Sequence, residues 1–384
     1  MKSYLRKMAV CSLALAMTVG GVTTAFATTE EEIVEEIELE DGKPYLSVAE
    51  AVEKANKASW DLYSMDKTID YLSDKSFDIW DSYYGWWNKS QITGNQQYVD
   101  AVTHSVGNAI MTLDNTVDEL ELTQQKIELG NEATVKNYFS AIAQMEASVR
   151  MLEANLNLQK LTESQTMVQL IMGQVSQNTL DQTGNDIAVS ELNVIALQQQ
   201  IDQMYTTLNN LIDEPTDNRY TLEKVGEFTP YEKLTETEMK RFISNSMKKD
   251  LTVLQTQADL EAAKIATTYM STEITDDERD ENAYNLQNAY RAEKRILEEK
   301  DIAIRAAYTE LAIIEQSYEQ ALLNLKIAED NVRVVEINVQ VGNLPKIQLE
   351  QVKLSLLQSE NELEQLAYSY DMQVFMLENS SLLS

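Results

Sequence analysis

Few residues in this chain have the type and spacing to do chemistry. His104 is the only histidine and Cys11 the only cysteine. A Ser–His or Cys–His nucleophile pair, a multi-histidine zinc centre and a thiolate metal site each lack a second member. His104 reads as a solvated helix residue. The densest carboxylate run, Asp276-Asp277-Glu278-Arg279-Asp280-Glu281, has neither the glycine nor the alternating ligand positions of a calcium loop. It reads as a solvated charge run. With 63 acidic residues in the chain, other carboxylate pairs arise by chance, and nothing marks a pocket around them. No catalytic, metal-binding or cofactor-binding residue is assigned. The chain reads as a non-enzyme without a cofactor.

Charge narrows the partners. The chain has 31 basic and 63 acidic residues, a net charge of −32. Its first 27 residues look like an export signal. Lys2, Arg6 and Lys7 precede a short apolar core, Met8 to Val19, and Ala25-Phe26-Ala27 has the small-x-small form of a cleavage site. Cleavage would remove three basic residues and leave a charge of −35 and no cysteine. Such a surface argues against nucleic acid and anionic lipid as partners. No later segment approaches the roughly 18 apolar residues of a membrane-spanning helix. Residues 28–44 form an acidic leader, with eight acidic residues between 28 and 41.

The elements that must carry any function repeat themselves. Val135, Tyr138, Ile142, Met145, Val149, Leu152 and Leu156 alternate spacings of three and four. Adding 169 to each number yields Ile304, Ala307, Leu311, Ile314, Tyr318, Ala321 and Leu325. Beyond Gly173, the run Leu180, Ile187, Val194, Leu197, Ile201, Met204 and Leu208 is matched in the same way beyond Gly342 by Leu349, Leu356, Leu363, Leu366, Tyr370, Gln373 and Leu377. An apolar seam every 3.5 residues marks helices packed lengthwise on one another. The fold class is therefore all-α: two tandem repeats, each a long antiparallel coiled-coil hairpin. The first repeat spans 45–215, a connector 216–234 and the second repeat 235–384. Polar Gln159, Glu163 and Thr166 fall on the seam near Gly173, so packing there is imperfect or faces water.

Within the first repeat, Ser47 and Glu50 cap a short helix. A second helix is expected from about 61 to 76, and a third from about 98 to 172, weakened at Gly107 and Gly130. Between them, Trp80, Tyr83, Tyr84, Trp86 and Trp87 crowd around Gly85. This stretch, 77–97, reads either as a local mini-core or as an interface with a membrane surface, cell-wall glycan or partner. In the second repeat the long helix is expected from about 281 to 340.

Four pieces resemble the outer-membrane efflux family, the TolC-like exit ducts. They are the phrase Leu46-Ser47-Val48-Ala49-Glu50-Ala51-Val52 with Ala55-Asn56; Lys249-Asp250-Leu251 with Ala258, Ala262 and Ala263; and two helix–turn–helix tips. Gly342-Asn343-Leu344-Pro345 resembles the family's tip closely; Gly173-Gln174-Val175-Ser176 lacks the leucine and proline. The resemblance implies a TolC-like α-barrel protomer, a homotrimer enclosing a twelve-helix tunnel, tips that dock an adaptor protein, an inner-membrane transporter behind it, and a gate that slides one hairpin on another. It also implies two strands per repeat in an outer-membrane β-barrel. Residues 77–97 do not alternate as strands and 271–280 is short and acidic, so no barrel strands are expected. The location is then the extracytoplasmic envelope, at the outer membrane if the cell has one. A second reading is an envelope coiled-coil scaffold with no channel; Ile195 and Leu211-Ile212, off the main seam, favour lateral packing and hence the duct.

Overall fold

The computed structural model describes residues 43–93, 96–226, 228–231, 233–268 and 275–383, with backbone alone for 90, 91, 93, 96–105 and 108. The export signal and nearly all of the acidic leader lie outside the described residues, as does the His104 side chain. The order is β1 (Tyr45–Leu46), α1 (Val48–Ala58), α2 (Trp60–Thr93), α3 (Gln96–Ile171), α4 (Gln177–Leu211), β2 (Thr221–Leu222), α5 (Glu236–Met247), α6 (Leu251–Thr268), α7 (Asp276–Gln340) and α8 (Lys346–Glu378), closed by a 3-10 turn at Ser380–Leu382. At 76 residues α3 is roughly 110 Å long.

The seams are the core. Val135, Ile142, Leu208, Ile304, Leu311, Tyr370 and Leu377 are all buried. The first core joins Leu46, Ala51, Ala55, Val135, Phe139, Ile142, Tyr205, Leu208 and Ile212; the second joins Met239, Ile243, Ile304, Ala307, Leu311, Tyr370 and Leu377. Ala51 and Ala55 of α1, like Met239 and Ile243 of α5, point the same i,i+4 face into their core. Three polar residues on the seams are satisfied locally, whereas Gln159 Oε1 is buried without a hydrogen-bond partner. Gln373 donates to the Ala307 carbonyl at 3.0 Å, and Ser190 and Ser359 each donate four residues back along their own helix. Leu211 and Ile212, expected to serve lateral packing, belong to the first core, with Ile212 buried.

Capping sets the helix starts. Ser47 Oγ accepts from Glu50 N, and Thr235 and Thr275 form full capping boxes with Glu238 and Glu278. The Thr275 box starts α7 five residues earlier than expected, because the acidic run beginning at Asp276 favours the positive end of the helix dipole. One further expectation fails. α2 does not stop near 76 but continues through the aromatic segment to Thr93. The reason is a seam that runs on through it: Leu62, Met65, Ile69, Leu72, Ser76, Ile79, Tyr83 and Trp87 all face inward, and Ser76 Oγ meets Asp114 Oδ1 of α3 at 2.5 Å. α3 runs unbroken through Gly107 and Gly130, close to its expected bounds, because packing on neighbouring helices outweighs the roughly 1 kcal/mol glycine penalty. Only residues 94 and 95 separate α2 from α3, too few for barrel strands. The other junction, 269–274, lies outside the described residues.

The connector ties the repeats together. β1 and β2 pair in parallel, Tyr45 with Thr221 and Leu46 with Leu222. Gly226 adopts φ +94° against α8, where a Cβ would come within 2.7 Å of Tyr368 Cδ1. Between the repeats, α3 lies against α8 and α6. Asn361 donates to the Ala147 carbonyl across this joint, and Lys136 Nζ sits 4.3 Å from the Phe375 ring centroid. The neighbour order is α2–α3–α6–α7 on one side of the connector and α4–α3–α8–α7 on the other.

The repeats diverge at one buried point. Asn131, which donates to Asn56 Oδ1 at 2.8 Å, corresponds by the 169-residue offset to Lys300. Lys300 is 5 % exposed and donates to the carbonyls of Ser380 and Leu383 at 2.9 and 2.7 Å, with Asp250 Oδ2 at 3.3 Å. Asp250 also accepts from Ser380 Oγ and from the backbone of Thr252 and Val253. This ion pair pins the chain end beside the start of α6. Lys300→Ala leaves Asp250 buried without its cation, so thermal or urea unfolding is expected to register a loss of about 3 kcal/mol.

Candidate functional site

The two tips, far apart in sequence, have the same backbone. At the first, Gly173 takes φ +69°, Gly173 N donates to Leu170 O at 2.9 Å and Gln174 N to Gln169 O at 2.8 Å. At the second, Gly342 takes φ +76°, Gly342 N donates to Val339 O at 3.0 Å and Asn343 N to Asn338 O at 2.8 Å. Both are left-handed glycine caps that satisfy the last carbonyls of a long helix. Sequence alone made the first tip look deficient. Yet Val175 and Leu344, equivalent by the offset of 169, are both half-buried under the turn. Ser176 and Pro345 are both N-caps of the returning helix. Ser176 accepts from Thr179 N through its side chain, and Pro345 has no side-chain cap bond but a fixed φ of −75°.

The tips also meet in space. The end of α3 and the start of α8 enclose an open groove of 540 Å³ lined by Leu161, Val168, Met172, Gln174, Lys346 and Ile347. Around it Met167, Val168, Ile171 and Met172 are at least half exposed. None of these apolar residues stood out in the sequence beyond the seam; their own three- and four-residue spacing was the available signal. The polar seam just before this tip is explained in part. Thr166 is buried and donates to Thr162 O at 2.9 Å, and Glu163 lies beside Gly184 of the returning helix.

A second apolar surface lies at the edges of the helix layer. On α4, Val189, Leu192 and Ile195 are exposed. On α7, Ile313, Leu323, Ile327, Val334 and Ile337 are exposed and recur at near-helical spacing. These edges are unlike one another. Among the described residues nothing covers either.

With this arrangement in view, solved structures can be compared. The chain matches CusC with a TM-score of 0.59 at 10% identity, covering 88% of this chain and 92% of that one. It matches the Campylobacter jejuni CmeC outer membrane channel with a TM-score of 0.59 at 11% identity, over 97% and 96% of the two chains. It matches the outer membrane protein VceC of Vibrio cholerae with a TM-score of 0.57 at 11% identity, over 87% and 96%. The chain has the fold of the outer-membrane efflux channels. No family model and no curated protein matches its sequence. Among the described residues, no helix of this channel fold is long and apolar enough to cross a membrane, and no cluster of side chains is suited to hold a metal ion.

The five aromatic residues singled out in the sequence stay on one helix, α2, and do not join the tips. Trp80 and Tyr84 stack at 5.6 Å, and Tyr83 and Trp87 at 6.1 Å. Trp80, Tyr84 and Trp86 are exposed, so the expectation of a closed mini-core is not met; only Tyr83 and Trp87 turn inward. A helix can bury one face against one partner, and α2 packs chiefly on α3.

Electrostatics mark the joint between the repeats. Burial, and then Asp259 on α6, hold the Glu119 carboxyl on α3 above its ordinary range, with the two acids hydrogen-bonded. A carboxyl raised in the folded state costs nothing below the unfolded value, and its cost grows as pH rises through the folded one. Glu119→Gln is expected to raise the melting temperature at pH 7, with the difference vanishing below about pH 4. The tips give a second expectation. A Cβ at Gly173 or Gly342 meets nothing within 4 Å, so alanine at either incurs only the left-handed backbone penalty of about 1 kcal/mol. Equal shifts in denaturation midpoint for the two variants would register that equivalence.

Proposed function

We propose that this chain is a TolC-like exit duct of an export or efflux assembly, a passive conduit formed by copies of itself. The observation that carries the reading is the pair of unlike apolar edges on one helix layer. A two-fold axis would set one of these faces on its own copy and leave the other bare, whereas setting the α4 face of one copy on the α7 face of the next covers both. They pair head to tail, and a head-to-tail contact that closes makes a ring. A layer four helices wide is one sector of such a ring. Three sectors give the twelve helices that the resemblance implies. The likeness to outer-membrane efflux channels supports the same sector geometry.

The tips supply the second contact. Their shared caps hold Gln174 and Asn343 at matching positions beside the groove of Met172 and Ile347. Such a surface, polar at the turn and apolar just behind it, suits the hairpin end of an adaptor protein, which would link the duct to an inner-membrane transporter. Opening would follow from one hairpin sliding along its neighbour, because seams of small and branched residues allow shear without unfolding. The basic start, apolar core and cleavage pattern of residues 1–27 support export. The two helices α2 and α3, separated by only two residues where barrel strands would stand, support a duct that does not end in a barrel from its first repeat.

The test is the absolute mass of the secreted protein by light scattering, in plain buffer and in mild detergent. Three copies in plain buffer are expected. Ile327→Glu on the α7 edge is expected to shift the mass to one copy while helical content is kept. A monomer or dimer of the unaltered protein in both buffers would remove the duct and leave a coiled-coil scaffold. A single cysteine at Asn343, in a mature chain that otherwise has none, is expected to cross-link an adaptor.

A further inference from the structure

The two upper hairpins are unequal, and the aromatic cluster sits where they differ. Asn245 and Asp250-Leu251 match Asn56 and Asp61-Leu62 at an offset of 189, so Thr268 at the end of α6 corresponds to Ile79, while by the offset of 169 Asp276 at the start of α7 corresponds to Gly107. So α2 runs 14 residues past its twin and α3 begins 11 residues before its own. At about 1.5 Å per residue, α2 and α3 extend roughly 15–20 Å beyond the described ends of α6 and α7. Trp80, Tyr83, Tyr84, Trp86 and Trp87 all lie on this extension. Among the described residues, the α7 edge of a neighbouring copy packed at the same level does not reach them.

We infer that the projecting end of the α2–α3 hairpin is a binding surface for an uncharged glycan strand. Three observations favour that chemistry. Trp80 and Tyr84 present two rings inclined by 26° with centroids 5.6 Å apart, exposed by 37% and 59%. The two rings stack on one another, and the ring surface they leave exposed suits the apolar C–H face of a sugar. Asp78 and Asp81, both exposed on the same helix, offer acceptors for sugar hydroxyls. Lys89 is the only cation in sequence between Lys75 and Lys126, which disfavours a phosphate-bearing polymer or anionic lipid. From Asn88 to Gln97 the sequence is polar except for Ile92 and has no run of apolar residues, so insertion into a bilayer would carry polar groups into hydrocarbon. Aromatic rings joined to hydroxyl, amide and carboxylate groups suit a surface that is apolar on its faces and hydroxylated at its edges.

The purified protein would be titrated with a soluble β-1,4-linked N-acetylglucosamine tetramer while tryptophan fluorescence is followed, and sedimented with insoluble chitin and with vesicles of phosphatidylcholine alone or with phosphatidylglycerol. A saturable fluorescence change and sedimentation with chitin are expected. Trp80→Ala combined with Tyr84→Ala is expected to weaken binding by roughly tenfold or more, the loss of two ring contacts. Trp60→Ala, outside the projection, is expected to bind as the unaltered protein does. The two single variants keep the test decisive if the double one loses its helical signal. No saturable response, an undiminished response in the variants, or sedimentation with vesicles instead of chitin would overturn the inference.

Discussion

The seam between the long helices is the constraint on which the rest depends. An apolar face repeating every 3.5 residues, held over three to four heptads, commits each of these stretches to lengthwise packing on a partner helix. Once α3 lies on α4, and α7 on α8, the turns between them are nearly determined. The chain must reverse within a few residues, so each hairpin needs a left-handed residue at its cap, and glycine supplies it at 173 and 342. The connector crosses close against α8, and Gly226 passes Tyr368 at a distance that a side chain would not tolerate.

The two repeats reach the same geometry by different chemistry, and the differences show which features the fold requires. Ser176 caps by a side-chain oxygen and Pro345 by a fixed φ. Tyr205 donates to Tyr220 O and Tyr370 to Thr229 O, so each return helix uses a buried tyrosine to hold the connector, though at positions that the repeat offset does not equate. Burial pushes both phenols well above their ordinary range, so they stay protonated donors. Asn131 and Lys300 divide the same location into an amide pair and an ion pair. The ion pair is found where a chain end must be held, the task the first repeat hands to its connector.

Much of this was legible in the sequence because heptads depend on residue type alone. The tips, the short capped helices and the duplicated seams fell where spacing placed them. The misses have a physical pattern. The seam of α2 was hidden because Ser76 interrupts it and its last members, Tyr83 and Trp87, are crowded by Trp80, Tyr84 and Trp86 on other faces; composition obscured periodicity. Leu211 and Ile212 looked like lateral contacts because they leave the main seam, yet at a helix end the core widens to take in α1 and the connector. The Asp276 run looked like a junction because its charges suggest solvent, but charge at a first turn favours a helix when Thr275 and Glu278 cap it. The groove behind the tips depends on two segments separated by about 170 positions, which no local pattern relates.

The inequality of the upper hairpins is the one feature that the seams do not require. Packing needs two helices of matched length in each hairpin, and the α2–α3 pair is matched to itself. It does not need the first hairpin to outrun the second. The extension adds exposed tryptophan and tyrosine to water without adding any neighbour beyond the pair, which for the isolated chain is unfavourable. A ring built from lateral contacts at the level of α6 and α7 would leave the same residues uncovered. What stabilises that surface must come from outside the helix layer, and its mixture of rings, carboxylates and amides fixes the chemistry that can do so.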